Sequence, residues 1–282
     1  MRRARWYILA ALLVANVFVW SFVYARQLPG ELTISFLDVG QGDAIFIESP
    51  SGSRLLIDGG ASRSVLRALG GEMGFFDRTL DVVLATHPDA DHIGGLPDVL
   101  ARYDVSLVVE PGNVSDTSAY RTFASSASEE RGARHLIARR GQLIDFGDGA
   151  SLRILFPDRD VSGLESNAAS IVAQLSFGET EVLLTGDAPQ SIESYLTALE
   201  GLGLRSDILK VGHHGSRTSS DELFVGFTGP RYAVLSRGCD NRYGHPHAEV
   251  LEVLERFGAE ILDTCKRGTI TFESDGTGVT LK

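Results

Sequence analysis

His87, Asp89, Asp91 and His92 place four metal-type ligands within six residues, in the segment Thr86-His87-Pro88-Asp89-Ala90-Asp91-His92-Ile93-Gly94-Gly95. In an extended loop the side chains of His87, Asp89 and Asp91 alternate to a common side, and His92 turns the other way. A solvated acidic turn has no use for two imidazoles, and apolar packing has no use for two carboxylates. Imidazole and carboxylate donors together suit divalent cations, which lower the pKa of a bound water towards neutrality and so supply hydroxide for hydrolysis.

Such a loop needs rigid elements on both sides. Val82-Val83-Leu84-Ala85 precedes it, a continuous apolar run that reads as a strand buried on both faces. Helical spacing follows over Ile93–Tyr103. Leu32–Asp38, Ala44–Glu48 and Arg54–Ile57 read as strands, the last two joined by a Ser-Pro-Ser-Gly-Ser turn. Further strands are expected at Leu107–Val109, Leu152–Phe156, Ser170–Phe177, Val182–Thr185, Ile208–Val211, Tyr232–Leu235 and Glu260–Leu262, with helices at Gln190–Leu202, Asp221–Phe227 and His247–Phe257. A hairpin closes the chain at Thr269–Leu281. Strands in both halves with interspersed helices predict an α/β fold, two sheets packed face to face under helices. No linker divides residues 31–282, which read as one domain of two pseudo-equivalent halves.

The His87–His92 segment resembles the HxHxDH signature of the metallo-β-lactamase superfamily, with Asp89 in place of the second His. With Phe36–Ala44, Leu55–Gly60, Leu183–Asp187, Leu209–Ser216 and Asn241–Pro246 in order, the chain is similar to the metallo-β-lactamase domain of ComEC-type DNA-uptake competence proteins. The resemblance spans residues 31–275 and implies an αββα sandwich. It implies that His87 and Asp89 hold one metal ion, that Asp91, His92 and His214 hold a second, and that Asp187 bridges them. His213 would face substrate beside His214. A further His usually completes the first site. Here Asn167 and Ser170 stand in that interval, and His135 reads as structural or exposed. Three carboxylates with one bridging hydroxide would neutralise two divalent ions. Asp91, His213, His245 and Lys210 are the candidates for proton transfer or charge stabilisation, although Lys210 reads equally well as a surface residue. The oxygen donors harden the site towards manganese, while intrinsic affinity favours zinc. Removing the ions is expected to lower the melting temperature, since bare carboxylates repel. Asp38, Asp43 and Asp58 are expected to brace the loops, and His247 to begin a helix and face solvent.

The net charge of the 282 residues is −11, and the first 26 hold Arg2, Arg3, Arg5 and Arg26 with no acid, so the remainder is more acidic still. This excludes the broad cationic footprint of a tight nucleic-acid binder. Residues 6–25 carry no charge, and as a helix they span about 30 Å, the thickness of a bilayer core. With aromatic residues near both ends and arginines before it, this segment reads as a single transmembrane anchor with the domain outside the cytoplasm. A cleaved signal segment is the alternative, and residues 27–30 form a linker. The multi-spanning channel of the competence proteins has no counterpart in this sequence. Cys239 and Cys265 are compatible with a disulfide or with two separate thiols. The leading expectation is a membrane-anchored phosphodiesterase or nuclease, with single-stranded DNA among its candidate substrates. The alternatives are a hydrolase of esters, amides or lactones and a non-catalytic, metal-braced accessory domain of an uptake or surface assembly.

Overall fold

The computed structural model describes residues 30–282, apart from 75 and 131, together with 6–7, 12–18 and 20. Two sheets account for the strands. The first takes β1 (Leu32–Phe36), β2 (Ile45–Glu48), β3 (Arg54–Ile57), β4 (Thr79–Leu84), β5 (Asp104–Glu110) and β6 (Arg134–Ile137). The second takes β7 (Leu143–Asp145), β8 (Ala150–Phe156), β9 (Val172–Phe177), β10 (Thr180–Leu184), β11 (Ile208–Lys210), β12 (Tyr232–Leu235) and β13 (Glu260–Asp263). The closing hairpin, β14 (Ile270–Ser274) and β15 (Val279–Leu281), returns to the first sheet, where β14 lies antiparallel to β1. The orders are β15-β14-β1-β2-β3-β4-β5-β6 and β13-β12-β11-β10-β9-β8-β7.

The apolar run of β4 shows why the sandwich forms. Val82 and Leu84 join the core between the sheets, whereas Leu80 and Val83 pack outward beneath helices. In β10, Val182 and Leu184 point inward and Leu183 outward. Each central strand therefore buries both faces, and three apolar layers separate four layers of structure. The outer covers include the helices Ser64–Glu72 and Ser118–Glu129 over the first sheet and Gln190–Glu200, Glu222–Thr228 and Ala248–Arg256 over the second. Helix starts follow local chemistry. Asp221 caps Glu222–Thr228 by accepting from the backbone N–H groups of Leu223 and Phe224.

The elements differ from expectation in a few places. The helix expected over Ile93–Tyr103 is two short helices, Ala90–Ile93 and Leu96–Leu100, separated by Gly94-Gly95. The helices Ser64–Glu72 and Ser118–Glu129 were not anticipated at all. The first contains Gly70-Gly71, and the second buries only Phe123 and Ala127, so neither carries a strong apolar stripe. Cys239 and Cys265 form a disulfide. The expected anchor over residues 6–25 lies largely outside the described residues, and among those described no helix is long and apolar enough to cross a membrane.

What positions the functional loops is the direction of the strands. β3 and β4 run parallel in one sheet, and β10, β11 and β12 run parallel in the other. Their carboxyl ends open into one crevice, the usual location of sites in open α/β sheets. Phe272 on β14 fastens this arrangement across the sandwich. It is fully buried, its ring centre 6.1 Å from Phe36 and 5.1 Å from Tyr232 of the opposing sheet. Phe272→Ala is expected to destabilise the fold by about 3–5 kcal/mol, measured as a shift in the urea midpoint at unchanged slope.

Candidate metal centre

Five strand ends deliver the side chains. β3 ends in Asp58, β4 leads to His87–His92, β10 to Asp187, β11 to His213-His214, and β12 to Ser236–His245. Gly42, at φ 114°, closes the crevice from the β1–β2 turn. A Cβ there would sit 1.8 Å from the carbonyl oxygen of Asp91, so only glycine allows the turn to press against the 87–92 loop.

The backbone at the His pair is strained. His213 and His214 both adopt left-handed conformations, with φ of 48° and 56°. This turns the two imidazoles apart. His214 is 1% exposed and directs Nε2 to 3.3 Å from Asp91 Oδ2, 3.3 Å from His92 Nε2 and 3.5 Å from Asp187 Oδ2. His213 lies at the rim. Its Nε2 is 3.7 Å from Asp187 Oδ2, and its Nδ1 is 3.0 Å from the Thr218 hydroxyl. His92 Nε2 lies 3.3 Å from Asp187 Oδ2. His87 Nε2 lies 3.7 Å from Asp89 Oδ2 and 4.0 Å from Asp187 Oδ2. Thus His87, Asp89, Asp91, His92, Asp187 and His214 surround one small space. His87 Nε2 and Asp187 Oδ1 are both buried there without a hydrogen-bond partner.

These separations are informative. They are long for hydrogen bonds between good partners, but ligand atoms about 2.1 Å from a common ion lie roughly 3–4 Å apart. The donor set and the two orphaned buried atoms therefore fit divalent metal.

Behind the donors stands a layer of supports. Asp58 accepts from the Thr86 backbone N–H at 2.8 Å and the Thr86 hydroxyl at 2.7 Å, and His92 Nδ1 lies 2.8 Å from it. His214 Nδ1 donates to the Ser236 carbonyl at 2.8 Å, and the Ser166 hydroxyl donates to Asp89 at 2.6 Å. Ser170 accepts from the Asp187 backbone N–H at 3.3 Å, and Asn167 Nδ2 reaches to 3.5 Å from His213 Nδ1.

Lys210 is not at the surface. It is fully buried, 2.6 Å from Asp43 and 3.0 Å from the Val211 carbonyl. Asp43, His92, Asp187 and His214 each offer a ligand atom within 4.8 Å of the others. Asp43, however, faces the Nδ1 edges of His214 and His92, at 3.4 and 3.9 Å, while Asp91 and Asp187 face Nε2. Asp43 thus supports the imidazoles from behind. His135 sits exposed on β6, paired with Val108, away from the crevice. His247 does more than face solvent. As the residue before the helix Ala248–Arg256, it accepts the Arg217 N–H at 3.1 Å, and its ring lies 5.0 Å from that of His245.

Electrostatics divides the histidines. Burial, followed by the charge of His92, pushes His87 down to about 4, so it is neutral and ready to donate a lone pair. Burial also disfavours charge on His214, but Asp187, Asp43 and Asp91 together overcome it and lift His214 to about 9. His92 is raised well above its ordinary value against the same burial penalty, through Asp187 and Asp58. Reciprocally, His214 and His92 hold Asp187 far below the usual carboxylate range despite its burial. Without metal, imidazolium ions do the work of the cations.

Residues 37–238 match the Metallo-beta-lactamase superfamily, and the chain belongs to it. Its curated relatives include ComEC-type competence proteins. ComE operon protein 3 of Bacillus subtilis (strain 168) is 31% identical over 269 residues, covering 89% of this chain and 34% of that protein. Recombination protein 2 of Haemophilus influenzae is 30% identical over 246 residues, 84% of this chain and 28% of that protein. The chain thus spans only about a third of the length of the curated relatives it matches. Among solved structures, the metallo hydrolase Igni18 from Ignicoccus hospitalis superposes with a TM-score of 0.54 at 15% identity, over 85% of this chain and 98% of that one. CmlA, a diiron β-hydroxylase from Streptomyces venezuelae, gives 0.53 at 15% identity, over 83% and 53%. These likenesses show the fold, two packed sheets under helices.

Two outcomes are expected. His214 has a folded value near 9 against 6.5 unfolded, so its protonation stabilises the metal-free protein fully below pH 6.5 and ceases to do so as pH rises through 9. The melting temperature of chelated protein should therefore fall between those pH values, and added metal, which needs the deprotonated ring, should restore more of it at pH 9 than at 6.5. Asp58→Ala should weaken metal affinity about 10–100-fold in competition titrations against a chelator, because His92 loses the acceptor that fixes its ring.

Proposed function

We propose that this chain is a membrane-anchored phosphodiesterase that binds two divalent ions, zinc or manganese. His87 and Asp89 would hold one ion, Asp91, His92 and His214 the other, with Asp187 between them. The observation that carries the reading is the pair of buried, unpartnered atoms, His87 Nε2 and Asp187 Oδ1, within a ring of donors spaced for shared ions. Bound there, such ions lower the pKa of water and polarise a phosphoryl oxygen.

The chain's own groups supply the rest. Asp91, partly open to the crevice, is held anionic against its burial by His214 and can accept a hydrogen bond that orients the attacking water. His245 is 8% exposed, with its ring centre 5.6 Å from that of His213, and its Nδ1 has no partner. Burial, then the neighbouring His213, holds its value down at about 4, so a neutral imidazole faces the crevice. It can hydrogen-bond a phosphoryl oxygen or a leaving group. His213 at the rim serves the same side.

Export is supported by the Cys239–Cys265 disulfide, which persists in oxidising compartments. An anchor is supported by the helical stretch 12–18, where Leu12, Leu13, Val14, Val17 and Phe18 are all exposed. Relatives named Competence protein ComA and Recombination protein 2 favour a nucleic-acid phosphodiester as the substrate.

The test uses the full chain in mild detergent, with manganese or zinc, and Asp91→Ala as control. Bis-p-nitrophenyl phosphate, single-stranded DNA and a chromogenic β-lactam are offered in parallel. Metal-dependent turnover of the phosphodiesters, reduced at least 100-fold in Asp91→Ala, is expected. Turnover of the lactam alone would move the assignment to acyl chemistry, and no metal-dependent turnover at all would make this an accessory domain.

A further inference from the structure

The loop from Arg237 to His247 is built to hold a shape. Arg237 makes two buried bonds to Asp263, at 3.1 and 2.6 Å, and the Cys239–Cys265 disulfide ties the next turn to the helix Thr264–Arg267. Asn241 then closes the loop on itself. Its amide donates to the carbonyls of Gly238 and His245, at 3.0 and 2.9 Å, and its oxygen accepts the His245 N–H at 2.9 Å. The loop is also tied to the His pair, since the Ser236 carbonyl just before it accepts from His214 Nδ1 and the His247 N–H at its end donates to the Gly215 carbonyl.

What the bracing presents is a stack. Tyr243, 52% exposed, lies over His245 with ring centres 5.6 Å apart and planes within 23°. His245 in turn meets His213 edge-on at 5.6 Å and lies 6.4 Å from His214, so a row of rings leads from solvent to the metal donors. The Arg242 guanidinium lies 5.4 Å from the Tyr243 ring centre and meets its hydroxyl at 3.4 Å. Rings and a cation at the edge of a phosphodiester site have a specific use. Flat heteroaromatic bases stack on phenol and imidazole faces, and arginine pairs with phosphate. A sugar or polyol phosphodiester offers no planar face for this surface.

We propose that Tyr243, supported by His245 and flanked by Arg242, is a specificity shelf that stacks the base of the nucleotide next to the scissile phosphate. This rests on the phosphodiesterase reading and adds to it the residues that select the nucleotide, by stacking on an unpaired base of a single-stranded or terminal nucleotide. The acidity of the chain, −11 overall, agrees with so local a contact. One ring and one guanidinium grip one nucleotide, where a long cationic track would grip a duplex.

The experiment compares two substrates with the same leaving group, thymidine 5′-(p-nitrophenyl phosphate) and methyl p-nitrophenyl phosphate, using the full chain loaded with manganese. In Tyr243→Ala the ratio of kcat/KM for the thymidine ester to that for the methyl ester should fall about tenfold, chiefly through KM, and Tyr243→Phe should restore it. An unchanged ratio in Tyr243→Ala would overturn the shelf while leaving the hydrolase intact. Should the wild-type protein cleave neither ester, the phosphodiesterase reading falls, and the shelf is judged by binding alone. Fluorescence anisotropy of labelled pentathymidylate should then show about tenfold weaker binding to Tyr243→Ala, and equal binding would overturn it.

Discussion

Buried negative charge is the constraint on which this molecule turns. Asp43, Asp58 and Asp187 are each at most 2% exposed, and all three stand at the ends of strands in a crevice closed by apolar layers. Carboxylates removed from water are tolerable only with cations or donors against them. The protein supplies Lys210 to Asp43, the Thr86 donors and His92 to Asp58, and His92 with His214 to Asp187. Lys210, the Thr86 donors and the Nδ1 edge of His92 stand behind the cluster, whereas at the front His87 Nε2 and Asp187 Oδ1 are left without hydrogen-bond partners. A buried site with donor atoms unfilled on one side only is a site shaped for a cation.

The same imbalance explains the strained backbone. Two consecutive non-glycine residues in left-handed conformation carry a cost of order 1–3 kcal/mol each. The turn from Gly212 to Gly215 accepts that cost because it aims His214 inward and His213 outward from adjacent positions. Ser216 and Ser219 hold the turn from outside, the latter through a 2.8 Å bond to the Ala188 carbonyl beside Asp187. Strain in one strand-end loop is thus tied to the loop that presents the central carboxylate.

Much of this was legible in the sequence, and unevenly so. β3 and β12 occupy the residues read from their apolar runs, because strands covered on both faces leave an uninterrupted signature. The edge strand β7 left none, since Leu143 is exposed and the element is three residues long. The loop residues that meet in the crevice were each visible as chemistry, and Asp43 and Asp58 were readable as braces, but the partners supplied from distant segments were not. Nothing about Ser166 marks it as a partner of Asp89, 77 residues earlier in the chain. Lys210 could be read either as a surface residue or as a participant in the chemistry, and only the fold reveals its burial beside Asp43. Types and spacing disclose ligands, whereas the second layer depends on tertiary geometry that no local pattern encodes.

The closing hairpin carries a consequence for biosynthesis. β1 is among the first strands made, yet one of its two neighbours is β14, with Leu32 facing Ser274 and Phe36 facing Ile270. Until those last residues emerge, one whole edge of the first sheet has open backbone hydrogen-bonding groups and an uncovered Phe36. Contacts so distant along the chain form slowly, and exposed strand edges recruit wrong partners. Truncation just before Ile270 would therefore strip β1 of one neighbour and leave an open, aggregation-prone edge rather than a slightly shorter fold.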